Sequence, residues 1–128
     1  MTEKDKKLLL TDLCARLPYE TWVQYDGKEW LVTGYGHGRV SLLPSVFSSV
    51  GGPCPLVEEV RPYLRPMSSM TEEEKTEYAT IIVKEAEQAA ESFTFGIDGI
   101  DWLNAHHFDF RNLIKRGLAI DCTNLNIY

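Results

Sequence analysis

The pattern of apolar and polar residues changes near the middle of the chain, at residues 60–74. After an initial helical run, apolar residues alternate with polar ones in short stretches up to this point, and beyond it they recur at helical spacing. The pattern predicts an α+β protein, in which a small antiparallel SH3-like sheet or barrel packs with an N-terminal helix, one long helix and a short helical tail. We expect a single domain, residues 1–128, with an N-terminal helix (1–18), a small β-sheet lobe (19–62) and a helical lobe (63–128).

Residues 2–17 form the first predicted helix, because their apolar side chains fall on one stripe. Leu17 precedes Pro18, and a residue before proline is biased away from the helical region, so the helix should end there. The stripe consists of Leu9, Leu10, Leu13, Cys14 and Leu17.

Asp26-Gly27 predicts a β-hairpin early in the sheet lobe. The pair lies between two alternating runs and has the sequence of a type I′ turn, which would place Val23 opposite Trp30. Three alternating glycines follow in residues 34–39. A phosphate-binding loop would need a helix directly after the glycines, whereas another strand pattern follows, so we interpret them as a second hairpin loop.

Residues 44–55 are rich in proline, serine and glycine and predict a loop. Val46 and Phe47 are apolar residues within it, and we expect them to tuck inward. Residues 56–60 are interpreted as a last short strand. Three or four short strands in a meander indicate a small barrel or curved sheet of the SH3-like type.

Two prolines mark the connection between the lobes. Pro62 and Pro66 have no backbone N–H, so residues 60–66 should leave the sheet in an extended and largely unpaired form. Tyr63 and Leu64 are apolar, and we expect this stretch to pack across the sheet rather than hang free.

A capping box then predicts the start of the long helix. Thr71 and Glu74 have the required spacing, and the acidic residues after Thr71 favour the positive end of the helix dipole. Apolar residues at helical spacing extend the predicted helix over residues 71–93.

The tail predicts two short helices and a strand. The first helix contains Trp102 and begins at an aspartate cap. The second, residues 110–116, is capped by Asp109 and ends at Gly117, a favourable residue for closing a helix. Residues 118–120 then have the character of a strand.

Charge and cysteine content narrow the functional classes. The net charge is −6, and residues 71–91 alone hold seven acids and two lysines, a balance of −5. A solvated helix face explains this acidity, and an acidic docking surface for a basic partner is the sharper interpretation. The chain has three widely spaced cysteines and no metal-binding cysteine motif, which favours reduced thiols in a cytoplasmic protein. We expect no signal peptide, membrane span or cofactor.

His106-His107 is the one sequence feature that invites a metal interpretation. Adjacent helical residues diverge by about 100°, so both rings would not chelate one ion easily. A nucleophilic site would need Cys14 or Cys122 to meet one of these histidines and Asp109, and no local signature supports it. We therefore predict neither.

Three sequence blocks resemble a known family. They are LLLTDLCARLPY at residues 8–19, RPYLRPMSSMTEEE at 61–74 and DWLNAHHFDFRNLIKRGLAID at 101–121. Together they resemble small uncharacterised proteins of Bacteroides-type gut bacteria, often found in prophage or other mobile-element regions. The resemblance implies a cytoplasmic location and a role linked to phage or mobile elements, and it implies no activity or catalytic residue.

Three functional hypotheses follow. The first is a non-enzymatic module that binds an unknown protein or peptide through the His37 loop, the acidic helix or the tail; its candidate residues are His37, Arg39, Trp102, His106, His107 and Arg111. The second is nucleic-acid binding by the small barrel, which requires convergence of Arg39, Arg61, Arg65, Arg111, Lys115 and Arg116 on one face. The third, an enzyme, would need a pocket with titratable groups of shifted pKa.

Overall fold

A computed structural model describes residues 1–45, 51–88 and 96–128. In these residues the protein is α+β, with three α-helices and a mostly antiparallel sheet of six strands that does not close into a barrel. Short 3₁₀ turns lie at Leu17–Tyr19, Val57–Glu59 and Met67–Ser69. The main elements are α1 (Glu3–Arg16), β1 (Trp22–Tyr25), β2 (Lys28–Gly36), β3 (Arg39–Leu43), β4 (Arg61–Pro66), α2 (Glu72–Gln88), α3 (Ile97–Ala105), β5 (Phe108–Asp109) and β6 (Ile120–Asp121).

Helix α1 confirms the predicted N-terminal helix, and its buried face overlaps the predicted stripe, of which Leu9 and Leu13 are buried and Leu10 and Leu17 pack against the larger hydrophobic cluster. Thr2 caps it through a capping box with Asp5. Cys14, which belongs to the predicted apolar stripe, is exposed, and Leu17 begins the 3₁₀ turn. The buried face combines two leucines with a charged pair: Leu9, Asp12, Leu13 and Arg16.

The first three strands form two tight hairpins, as predicted. Asp26 and Gly27 both have positive φ, as a type I′ turn requires, and β1 and β2 pair Val23 with Trp30. His37 and Gly38 make the second turn, also at positive φ, between β2 and β3. The three alternating glycines therefore belong to a hairpin, as predicted.

Strand β4 corrects the prediction that residues 60–66 are largely unpaired. It pairs antiparallel with β1 and parallel with both β5 and β6. Alternate residues of a strand direct their backbone groups to opposite edges. Pro62 and Pro66 lie two positions before and after Leu64, so the backbone groups of all three face the same edge of the strand. This is the β6 edge, because the Leu64 carbonyl accepts the Cys122 N–H (3.0 Å). The two positions without an N–H therefore face away from β1 and β5. The prolines remove no hydrogen bond to either strand, so β4 can pair with both.

Two other predicted elements are wrong. Residues 56–60 contain an isolated bridge at Leu56 and a 3₁₀ turn rather than a strand. Residues 110–116 form turns rather than a helix, because Asn112 has φ +60° and the Asp109 carboxylate binds the amides of Leu113 (2.8 Å) and Ile114 (3.0 Å). Val46 and Phe47, expected to tuck inward, lie outside the described residues, as does the predicted end of the long helix after Gln88.

Two hydrophobic clusters hold the elements together. The larger one joins α1 to the sheet and includes Leu9, Leu13, Val23, Val32, Val40, Leu42, Val57, Val60, Leu64, Leu113 and Leu118. The smaller one joins α2, α3 and β5 and includes Trp102, Leu103 and Phe108, with Met70, Tyr78, Ile81 and Phe110 against it. Strand β4 connects the two, since Leu64 is in the first cluster and the Arg65 guanidinium lies over the Phe108 ring of the second, 4.2 Å from its centroid.

Candidate functional site

The beginning of α2 is fixed to the sheet by a charged contact. Thr71 and Glu74 form the predicted capping box, with N–O distances of 3.0 and 3.2 Å between them. The Glu74 carboxylate also accepts two hydrogen bonds from the Arg65 guanidinium (2.7 and 2.8 Å). Those bonds lower the pKa of Glu74 to about 2. Because Glu74 stays ionised, α2 is attached to β4 at any ordinary pH.

Helices α2 and α3 pack unusually closely at Gly99. A Cβ atom placed on Gly99 would lie 2.8 Å from Ile82 Cδ1 and 3.2 Å from Glu85 Oε1. The buried Glu85 carboxylate accepts hydrogen bonds from the amides of Gly96 and Gly99 at the start of α3. A carboxylate from α2 thus satisfies the amides at the N-terminus of α3, where the helix dipole favours negative charge.

Aromatic stacking completes the contact between the helices. The Trp102 ring stacks on Tyr78 of α2 (5.4 Å between centroids), and its indole N–H donates to Glu77 (2.9 Å). Phe108 also stacks on Trp102, with 5.7 Å between the ring centroids. The two helices are therefore joined both by hydrogen bonds to carboxylates and by aromatic stacking.

Most of the α2 surface is exposed. Among its described residues, one narrow stripe is shielded from solvent, at Glu74, Tyr78, Ile81 and Glu85. This spacing of three and four residues follows a single line along the helix. Helices that pack on a domain usually bury a wider stripe than this, so α2 has an outer side that the rest of the described chain does not cover.

That outer side is partly apolar. Ile82 and Val83 of α2 are 37% and 57% exposed, and Ile97 and Ile100 of α3 are 50% and 40% exposed. Ala79 is also exposed and lines, with Val83, an open groove of about 490 Å³ along α2. We call these five side chains the α2–α3 face; Ile82 of its α2 part lies beside Gly99 of α3.

Acidic side chains surround the α2–α3 face. In the described parts of α2 and α3, six acids are exposed against two lysines, a balance of −4. Lys75 already pairs with Glu72 (3.0 Å), and Lys84 and Glu87 line the groove on α2. The exposed acids are Glu72, Glu73, Glu77, Glu87, Asp98 and Asp101.

The predicted binding residues occupy separate regions. His37 and Arg39 are exposed at the second hairpin, where Arg39 donates to the Cys54 carbonyl (2.9 Å). Trp102 is only 8% exposed and belongs to the smaller cluster. Arg111 binds Asp12 of α1 (2.8 Å). His37 and Arg39 are thus exposed at a hairpin, whereas Trp102 is buried and Arg111 binds a carboxylate within the protein.

The two histidines have different environments. His106 stacks on Trp102 (4.1 Å) and its Nδ1 lies 3.7 Å from Glu74. His107 stacks on Tyr128 (3.5 Å). Burial lowers the pKa of His107 to about 4, and the positive charges of Arg16 and Arg65 act in the same direction. His107 is therefore neutral at physiological pH.

The candidate nucleic-acid residues are largely used within the protein. Arg65 binds Glu74, Arg111 binds Asp12, and Arg116 lies 4.0 Å from Asp5. Arg61 donates to the Gly117 carbonyl (2.7 Å) and Arg39 to that of Cys54. Five of the six cations thus have partners inside the chain, which reduces the positive surface they offer to phosphates.

The described residues give little support for a metal site or a nucleophilic site. No group of three or more His, Cys, Asp or Glu side chains there is arranged around a common point. Asp109, the candidate third member of a nucleophilic site, directs both oxygens to backbone amides. Burial raises the pKa of the Cys122 and Cys14 thiols, which disfavours the reactive thiolate.

Comparison with known proteins adds no relative. No protein-family model, curated protein or solved structure matches this chain. Within the described residues, no helix has both the length and the apolar character needed to span a bilayer.

Proposed function

We propose that this protein is a non-enzymatic binding module whose α2–α3 face receives an amphipathic helix with basic flanks from another protein. The observation that supports this is the single shielded stripe of α2, which leaves Ala79, Ile82 and Val83 exposed beside two exposed isoleucines of α3. Exposed apolar side chains rimmed by polar ones are typical of interaction sites. Two packed helices with exposed apolar side chains would suit a third helix, as in helix-in-groove recognition.

Charge selects the kind of partner. The exposed balance of −4 around the α2–α3 face favours a cationic segment and disfavours a second copy of the same face, since like charges in an interface cost several kcal/mol. Contacts of Gly99, Glu85 and Trp102 already fix α2 against α3, so binding would require little additional ordering of these helices.

A designed peptide tests the proposal. The probe is a fluorescent helix with a leucine stripe flanked by lysines, and its binding is measured by anisotropy at physiological salt. We expect saturable binding, and we expect Val83→Asp or Ile100→Asp to weaken it at least about tenfold, because an unpaired carboxylate would be buried. Leu125→Asp, at an exposed leucine outside the face, is the matched control and should bind like the parent.

Three results would contradict the proposal. A scrambled peptide of the same composition that binds equally well would indicate nonspecific charge attraction. A leucine–glutamate peptide with the same stripe that binds equally well would refute the basic partner. Sedimentation showing a dimer that Val83→Asp dissociates would assign the face to a second copy of the chain.

Nucleic-acid binding is the alternative, with less support because five of its six candidate cations have internal partners. Binding to duplex DNA or RNA that weakens steeply with salt would favour it. An enzyme of unknown class is the second alternative; among the described residues, no group of three or more His, Cys, Asp or Glu side chains could hold a metal ion for it.

Three finer expectations remain proposals. An SH3-like relationship is supported by the meander of β1, β2 and β3. A cytoplasmic location is supported by exposed thiols at Cys14 and Cys54, which an oxidising compartment would not keep reduced. The prophage or mobile-element setting is supported by the three sequence blocks alone, and the genes that flank the coding sequence would test it.

A further inference from the structure

Tyr128 is inserted between two strands of the sheet. Its hydroxyl accepts a hydrogen bond from the Trp22 N–H of β1 (3.0 Å) and donates one to the Tyr63 carbonyl of β4 (2.9 Å). Burial of this hydroxyl raises the pKa of Tyr128, although the residue as a whole is 45% exposed. The tip of the side chain is therefore inside the protein while the rest lies at the surface.

The inserted hydroxyl replaces a backbone hydrogen bond. Strands β1 and β4 pair at Gln24 with Arg61 and at Val23 with Pro62, so the next pair in this register is Trp22 with Tyr63. Bonded pairs alternate along an antiparallel ladder, and Trp22 N–H and Tyr63 C=O are the groups that would meet there. The hydroxyl relays that bond. If Tyr128 left, Trp22 could pair directly with Tyr63 and extend the ladder by one residue pair. The Trp22 N–H and the Tyr63 carbonyl would then bind each other, and neither would remain unsatisfied.

Tyr128 also holds one end of a surface segment. Residues 122–128 are anchored at the other end by the Cys122 N–H, which donates to the Leu64 carbonyl (3.0 Å). Between these anchors, Thr123 and Leu125 are exposed; Thr123 donates to the Asp121 carboxylate and the Leu125 N–H donates to the Cys122 carbonyl. The Tyr128 ring stacks on His107. The segment is thus a strap held at its two ends.

The strap lines one side of a cleft whose wall includes a thiol. The cleft has a volume of about 240 Å³ and lies between the strap and the end of β4. Cys122 in its wall is 5% exposed. The lining residues are Arg65, Ser69, Cys122, Thr123, Leu125 and Tyr128.

We propose that Tyr128 is a releasable latch, and that its release opens the cleft and exposes the Cys122 thiol to small molecules. Two arrangements of the same strands, one with the hydroxyl inserted and one with the ladder closed, give the element two defined states. The exchange costs little because the backbone groups bind a partner in both states.

Alkylation of Cys122 tests the latch. The full chain with Cys14→Ser and Cys54→Ser has Cys122 as its only thiol, and its reaction with N-ethylmaleimide is followed by mass spectrometry at fixed pH. We expect Tyr128→Phe, which removes both hydroxyl bonds, to raise the rate roughly tenfold. Tyr128→Ala, which also removes the stacking on His107, should raise it further. Asn126→Ala, an exposed strap residue, should leave it unchanged.

Two outcomes would overturn the latch. The first is an unchanged alkylation rate in both Tyr128 variants. The second is a rate that follows global stability alone. To separate these effects, Val40→Ala destabilises the larger cluster far from the strap. If Val40→Ala raises the rate as much as Tyr128→Phe at an equal loss in free energy of unfolding, Cys122 reacts only in the unfolded chain.

Discussion

Asp12 is a buried carboxylate that two arginines share. It binds Arg16 Nε at 2.8 Å and Arg111 Nη1 at 2.8 Å, and the side chains of Asp12 and Arg16 are both fully buried. Arg16 Nη2 also donates to the Phe108 carbonyl (2.6 Å). The i, i+4 spacing of Asp12 and Arg16 is visible in the sequence, but such pairs usually lie in solvent. Its burial depends on Phe108, 92 residues further on, which no local pattern indicates.

Asp12→Asn should therefore be strongly destabilising. The variant keeps the shape of the side chain but leaves two arginine charges without their counterion, one of them fully buried. We expect a loss of about 3–5 kcal/mol in the free energy of unfolding, measured with urea. Glu3→Gln, which removes the exposed partner of Lys6, is the control and should cost less than about 0.5 kcal/mol. Equal losses in the two variants would contradict this account of Asp12.

His107 should make the protein sensitive to mild acid. Its pKa is about 4 in the folded protein and 6.5 ordinarily, so the unfolded chain binds more protons between these values. The contribution of neutral His107 to the free energy of unfolding is fully present above pH 6.5. It should fall by about 2–3 kcal/mol as the pH approaches 4. His107→Asn, which tolerates the positive φ of this position, should lose that slope. Glu74 titrates lower, towards pH 2, and should leave the comparison unaffected. A slope that persists in the variant would assign it to other groups.

At the scale of elements, local chemistry was informative wherever the contacts are local. Asp26-Gly27 sets its hairpin and Thr71 with Glu74 sets the start of α2, since both involve residues three or fewer positions apart. The failure at residues 60–66 concerns distant partners. Pro62 and Pro66 were expected to exclude a strand, but their parity directs the missing donors away from β1 and β5.

The candidate site also combines features that the sequence indicates with features that depend on distant contacts. The acidity of α2 was evident from the sequence, whereas the exposure of Val83 and Ile100 depends on how α2 and α3 pack. Gly99 gave a weak signal as a glycine within a helical pattern, which often marks close packing. Tyr128 gave none, because the backbone groups that it binds are 65 and 106 residues away.

Gly99 is where the packing of α2 against α3 can be tested. Alanine there gains helix propensity of about 1 kcal/mol relative to glycine, but its Cβ would meet Ile82 Cδ1 at 2.8 Å. In the parent we expect these effects to offset each other largely. In an Ile82→Val background the Cδ1 atom is gone and the 3.2 Å approach to Glu85 Oε1 remains, so Gly99→Ala should be about 0.5–1 kcal/mol more favourable than it is in the parent. Additive effects of the two substitutions in urea denaturation would show that the helices are not in close contact.

At the scale of the whole molecule, β4 is the element on which both hydrophobic clusters depend. Leu64 is fully buried in the larger cluster, and the next residue, Arg65, reaches the smaller one through Phe108 and α2 through Glu74. The two lobes expected from the sequence therefore share a strand rather than a flexible linker. A shared strand should make them unfold together, as small single domains usually do.

Tryptophan fluorescence can separate the two clusters in that test. With Trp22→Phe and Trp30→Phe, the remaining Trp102 reports on the smaller cluster, while far-ultraviolet circular dichroism reports on the whole chain. We expect the two urea transitions to coincide, and Leu64→Ala to shift both by the same 2–5 kcal/mol, roughly the cost of a cavity of that size. The larger cluster, to which Leu64 belongs, includes no described residue of α2, so a common shift would show that the two clusters unfold together. The contrary outcome is a Trp102 transition in Leu64→Ala with the same urea midpoint as in the parent protein. Helices α2 and α3 would then unfold as an independent unit, and the α2–α3 face would belong to a separate subdomain.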